Sequence, residues 1–110
     1  MILENLEFIY EKGSGSFCFQ GNKSKLRKKL NEGYILVGGG NGSYVLAEPN
    51  KVGVYADCNG ERNFFSLKPL IRNYYGVRRV TLNKFEKFEE EILQNGKKLD
   101  YDEYEGLRII

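Results

Sequence analysis

Asn-Gly suits the two positive-φ positions of a type I′ turn, and this chain places it twice between apolar runs, at Asn41-Gly42 and Asn59-Gly60. Each pair predicts a two-residue β-hairpin, and a two-residue loop sets the strand register by counting outward. In the second hairpin Cys58 falls opposite Glu61, Asp57 opposite Arg62, Tyr55 opposite Phe64, Val54 opposite Phe65 and Val52 opposite Leu67. Side chains alternate faces along a strand. One face then gathers Val52, Val54, Phe65 and Leu67 as core, and the other presents Tyr55 and Phe64 beside Asp57 and Arg62. The same count in the first hairpin sets Leu36 against Ala47 and Val37 against Leu46. Apolar residues on both faces describe inner strands covered twice or a strongly coiled sheet. Glu48-Pro49-Asn50-Lys51 reads as the link that joins the two hairpins into an antiparallel meander.

The flanking segments add helices. Gly13-Ser-Gly-Ser16 reads as a further hairpin turn between residues 6–12 and 17–20. Ser24 caps a short helix running to about Glu32, with Leu26 and Leu30 on one face, Lys25, Arg27, Lys28 and Lys29 on the others, and Gly33 as its stop. Pro69 and Gly76 bracket a second helix over 69–75, and residues 77–82 read as a strand. Asn83 with Glu86 forms a capping box for the main helix, about 83–95, which lines up Phe85, Phe88 and Ile92 before Gly96. Asp100 with Glu103 repeats the cap pattern and predicts a last short helix over 101–107. No repeat, low-complexity tract or long linker interrupts the chain. The expectation is one α+β domain, residues 1–110, with an antiparallel meander, one main helix and short flanking helices.

Chemistry is bounded by what is missing. The 110 residues include no histidine, no tryptophan and two cysteines. Histidine is the usual acid/base at neutral pH and the commonest metal ligand. Without it, Ser-His-Asp and Cys-His arrangements and imidazole-based zinc sites drop out. The glycines of Gly38-Gly-Gly-Asn-Gly-Ser43 resemble a phosphate loop only superficially. A strand rather than a helix follows them, and neither GxGxxG nor a Gly-Lys-Ser/Thr ending is present. The acids a metal-assisted nuclease would cluster are Asp57, Asp100, Asp102 and Glu103. Asp57 pairs with Arg62 across the hairpin, and the other three serve as a helix cap. No catalytic residue, cofactor or metal is therefore expected. No apolar run approaches the ~20 residues of a membrane helix. The acids Glu4 and Glu7 stand where an export signal carries bases, so a cytoplasmic location is expected, with Cys18 and Cys58 as free thiols.

The net charge of +2 conceals segregation. Residues 20–29 carry +5, residues 61–84 again +5, and residues 85–110 carry −4. Residues 62–79 interleave bases with aromatics, a mixture that holds phosphates and stacks bases. Phe65, Leu67, Leu70, Ile71 and one of Tyr74 or Tyr75 are explained as core. Tyr55, Arg62, Phe64, Arg72, Arg78 and Arg79 remain as surface, together with Lys25, Lys28 and Lys29 of the basic helix. Tyrosine and arginine also anchor protein interfaces, and charge of both signs fits a protein partner better than phosphate alone. The expected function is non-catalytic binding of another protein by occupancy. Lys, Asn, Ile, Phe and Tyr, all with AT-rich codons, make up 43 of the residues. With the small size, this suggests a phage or mobile-element inhibitor of a host protein that itself handles nucleic acid. A nucleic-acid-binding protein is the alternative, and a small histidine-free nuclease a further one.

Overall fold

Both Asn-Gly turns form, with φ of 56° and 86° at Asn41 and Gly42 and 54° and 79° at Asn59 and Gly60. The computed structural model describes residues 1–110, Ser14 by its backbone alone. The elements are β1 (Glu4–Gln20), α1 (Lys23–Asn31), β2 (Ile35–Gly40), β3 (Ser43–Cys58), β4 (Glu61–Ser66), α2 (Lys68–Tyr75), α3 (Leu82–Gln94), β5 (Leu99–Asp102) and β6 (Gly106–Ile109). The class is α+β with an antiparallel sheet, as the sequence implies. The β3–β4 register agrees pair by pair with the count from Asn59-Gly60, from Cys58↔Glu61 to Val54↔Phe65. Beyond it, the Leu67 N–H donates to the Val52 carbonyl at 2.9 Å.

The two hairpins are not linked one after the other. Residues 48–51 lie inside β3, so both hairpins share that one strand. One edge of β3 pairs with β2 and then β4, and the other pairs with β1 along most of its length. Proline lacks the N–H a ladder needs and is tolerated at irregularities. Pro49 sits opposite Lys12 between two register shifts of β1. The Gly13–Ser16 turn signal is absorbed here too. β1 runs straight through it, and residues 13–15 are the extra length set against Glu48. A Cβ at Gly13 would stand 1.7 Å from the Glu48 carbonyl oxygen, so only glycine allows the two backbones to pass this closely. The first hairpin also departs from simple counting. Leu36 pairs with Leu46 and Ile35 with Ala47, because Val37 is an extra residue at a bulge before Gly38.

α1 and α3 keep their places while their N-caps shift. α1 starts at Lys23, capped by Asn22 rather than Ser24, with Oδ1 accepting the Lys25 N–H at 2.9 Å. α3 is capped by Thr81 rather than Asn83, its hydroxyl accepting the Lys84 N–H at 3.1 Å. Both capping residues are extended, the geometry a side-chain cap requires. α2 ends at Gly76 in the left-handed conformation, as Pro69 and Gly76 predict. The strand expected over 77–82 is absent. That segment is an irregular lead into α3 with Val80 buried, since β3 already has partners on both edges.

The last helix expected over 101–107 is a β-hairpin, β5–β6, with Leu99↔Ile109 and Tyr101↔Leu107 paired. Asp102 caps a turn there instead of a helix, its Oδ1 accepting the N–H of Tyr104 at 2.7 Å and of Glu105 at 3.3 Å. Leu99, Tyr101, Leu107 and Ile109 alternate with polar residues at period 2, and this pattern prevails over the cap signature. The core lies between the second half of the sheet and the helices. Val52, Val54, Ala56, Leu67, Ile71, Phe85, Phe88, Ile92 and Leu99 are buried in it. Phe8 and Tyr10 of β1 meet Phe85 at ring distances of 6.0 and 5.6 Å. The long β1–β3 ladder stretches the molecule to 49 × 25 × 24 Å.

Candidate binding site

The predicted surface residues divide into two places. Tyr55 and Phe64 face each other across the β3–β4 ladder with ring centroids 5.2 Å apart. They lie on the side of the sheet opposite Val54 and Phe65, as register counting requires. Lys51 covers both rings at 5.7 and 5.3 Å and donates to the Tyr55 hydroxyl at 3.2 Å. That hydrogen bond is the main reason its ammonium titrates above the usual lysine range. Arg62 reaches Glu7 at 2.6 Å and Asp57 at 3.6 Å, and also donates to the Asn5 carbonyl. This face is aromatic, but its cations already have partners within the chain.

The second place is a groove around residues 77–84. Its basic end is a cleft of about 360 Å3 lined by Lys68, Arg72, Arg78 and Arg79, with Glu32 and Glu48 in the same wall. These bases come from α2 and from the irregular lead into α3. Gly76 turns the chain so that Arg78 and Arg79 stand near Arg72. Arg79 is bound to Glu48 at 2.7 Å, a hydrogen bond that raises its pKa further. Arg72 and Arg78 have no ion pair among the described residues. Beside this cleft, past Lys84 and Thr81, lies a section of about 430 Å3 that shares Glu32, Arg78 and Arg79 with it. A mainly apolar section of about 490 Å3, walled by Tyr10, Leu30, Ile35, Leu36 and Leu82, follows. Asn31 and Thr81 line both of these sections.

Tyr34 joins α1 to this groove. Arg79 lies 4.9 Å and Lys29 5.2 Å from its ring centre, and Phe17 meets its edge at 5.4 Å. Lys29 also lies 5.8 Å from the Phe19 ring. Lys25 and Lys28 share the same helix, so α1 extends the positive surface away from the groove. The structure thus brings Arg72, Arg78, Arg79 and Lys29 together and leaves Tyr55, Arg62 and Phe64 apart from them. Sequence reasoning missed Tyr34, Phe17, Phe19, Lys68 and Lys84. Nothing local marks Tyr34, whose position depends on residues 45 places away in the chain. A scan against protein-family models, a search of curated proteins and a search of solved structures each returned no match.

The acids considered for metal chemistry are dispersed. Asp57 is on the sheet with Arg62 and Asn5. Asp100 is buried against Arg108 and the Met1 amino group, and Asp102 is tied to turn amides. Among the described residues, no three His, Cys, Asp or Glu side chains are grouped to hold a metal. No helix among them is long and apolar enough to cross a membrane.

Proposed function

We propose that this chain is a non-catalytic binding protein that acts by occupying a protein partner, docked in the groove beside Arg78. One observation carries the reading: three neighbouring clefts, the middle one sharing lining residues with each of the others, run from a wall of four bases to a mainly apolar section of about 490 Å3, with Glu32 and Glu48 built into the basic end. A phosphate backbone is matched by positive charge that continues along its path, and here it would meet two carboxylates and then, past Lys84, a section whose walls are mainly apolar with Lys12 as its one base. A protein segment with acids at one end and apolar side chains at the other matches both halves. Acting by occupancy, such a chain fits an inhibitor, and its abundance of residues with AT-rich codons fits a phage or mobile-element origin. One feature favours nucleic acid as a second reading, namely Tyr34 carrying two cations beside Phe17 and Phe19.

The test is capture of partners by the tagged protein with and without nuclease treatment, followed by affinity measurement on the captured partner. A protein partner should survive nuclease, and Arg78→Ala should weaken it by about 1–2 kcal/mol, as loss of an arginine anchor does. Arg62→Ala should change it less, because Arg62 already has acidic partners. Loss of all partners on nuclease treatment, with direct binding of a labelled single-stranded oligonucleotide, overturns the protein reading. On that outcome affinity should fall with salt at a log–log slope near −0.7 per phosphate contacted.

A further inference from the structure

Tyr104 is 95% exposed, more than any other large hydrophobic residue of the chain, and it stands at the tip of β5–β6 between Glu103 and Glu105. The tip is held rather than loose. Asp102 accepts two backbone N–H groups of the turn, at 2.7 and 3.3 Å. At the base, Leu99 is fully buried and Asp100 is bonded to Arg108 at 2.5 Å. Asp102, Glu103 and Glu105 make the tip acidic. The nearest base, Arg108, is engaged by Asp100 and lies 3.8 Å from Glu105. Elsewhere in the same molecule, Arg72 and Arg78 face a cleft of about 360 Å3 without an ion pair among the described residues. Tyr104 is too exposed to rest in any cleft of its own chain.

We infer that the acidic Tyr104 tip of one copy docks in the basic cleft of a second copy. Carboxylates of Glu103 and Glu105 would meet Arg72 and Arg78, and the Tyr104 ring would offer its face to a guanidinium. Such a contact joins two different surfaces, so repetition gives a ring or an open chain rather than a closed two-fold dimer. The inference rests on the groove being a site for acidic protein segments. It adds that the chain carries such a segment itself, so that self-association competes with partner binding.

Sedimentation equilibrium of the full chain at low and high salt tests this with two variants. The tip variant carries Glu103→Gln, Tyr104→Ala and Glu105→Gln, and the groove variant carries Arg72→Ala and Arg78→Ala. The wild type should show a mass that rises with concentration at low salt, and each variant alone should self-associate about tenfold more weakly or not at all. An equimolar mixture of the two should form a heterodimer and nothing larger, since only one intact tip then meets one intact groove. All five residues are exposed, and unchanged circular dichroism and melting temperature certify the fold. A wild type that stays monomeric, a variant that associates as the wild type does, or a mixture that fails to pair overturns the proposal. A fluorescein-labelled glutamate–tyrosine copolymer separates this failure from failure of the groove itself. If the copolymer binds the wild type but not the groove variant while the wild type stays monomeric, the groove reading stands and the self-docking falls.

Discussion

Tyr75 packs against Phe88 with ring centres 6.5 Å apart, yet its hydroxyl is buried with no hydrogen-bond partner among the described residues. Burial, and next the charge of Glu91, push this phenol up to about 12. The Glu91 carboxylate accepts a hydrogen bond from the Tyr74 hydroxyl at 2.5 Å. A buried hydroxyl left unpaired costs about 1–3 kcal/mol of desolvation. Tyr75→Phe should therefore leave stability unchanged or raise it by up to about 1 kcal/mol, as read by urea denaturation. A clear loss of stability would reveal a partner at that oxygen. Gly60 makes the opposite case. Its φ of 79° lies where a β-branched side chain is strained, so Gly60→Val should destabilise by about 1 kcal/mol or more. An unchanged melting temperature there would contradict the turn that sets the β3–β4 register.

Among the elements, α3 and β5–β6 hold the core from different directions. Phe88 is 1% exposed and contacts Tyr74 and Tyr75 of α2, so Phe88→Ala should cost about 3–5 kcal/mol in denaturant unfolding. The hairpin depends on Asp100, which the Met1 amino group, and after it Arg108, hold below the usual carboxylate range. Asp102 is lowered as well, by the amides of Tyr104 and Glu105. A carboxylate depressed in the folded state contributes stability that is fully present above its unfolded pKa of about 3.9 and is lost as pH falls through the folded value. Melting temperature should accordingly fall as pH drops below about 4, and Asp100→Asn should lower it at neutral pH and flatten that dependence. A variant with the wild-type pH profile would show that Asp100 does not anchor the hairpin. Where one local signal dominated, the sequence was legible. Asn59-Gly60 set its register, and Phe85, Phe88 and Ile92 marked the buried face of α3. Where two signals competed, local reading failed. Asp100-x-x-Glu103 reads as a helix cap, but Leu99 and Tyr101 pair with Ile109 and Leu107 as a period-2 hairpin. The bulge at Val37 was illegible because that residue is compositionally ordinary, and the glycines at 13 and 15 were misread because a bulge and a turn call for the same residue.

For the molecule as a whole, the bases of the site could be listed from the sequence, but their convergence could not. Arg72, Arg78 and Arg79 share a cleft because α2 ends at the left-handed Gly76 and the chain turns there, and Lys29 joins them only through Tyr34. Exposed charges more than about 8 Å apart are largely screened at physiological ionic strength. Binding of a protein in the groove should therefore weaken only modestly as salt rises to that level. A steep decline, measured by titration at several salt concentrations, would favour nucleic acid.

The sharing of β3 by both hairpins has a consequence for synthesis on the ribosome. Each Asn-Gly hairpin closes a loop of a few residues as it emerges, whereas Glu4 must find Asp57 across most of the chain already made. β1 leaves the exit tunnel first and waits without a ladder partner until β3 has followed it. During that interval the nascent chain displays Phe8, Ile9 and Tyr10, then Phe17 and Phe19, with only Glu4, Glu7, Glu11 and Lys12 among them as charges. Chaperones that recognise extended apolar segments would meet β1 in that interval, and the longest ladder of the fold would zip only once β3 has followed it.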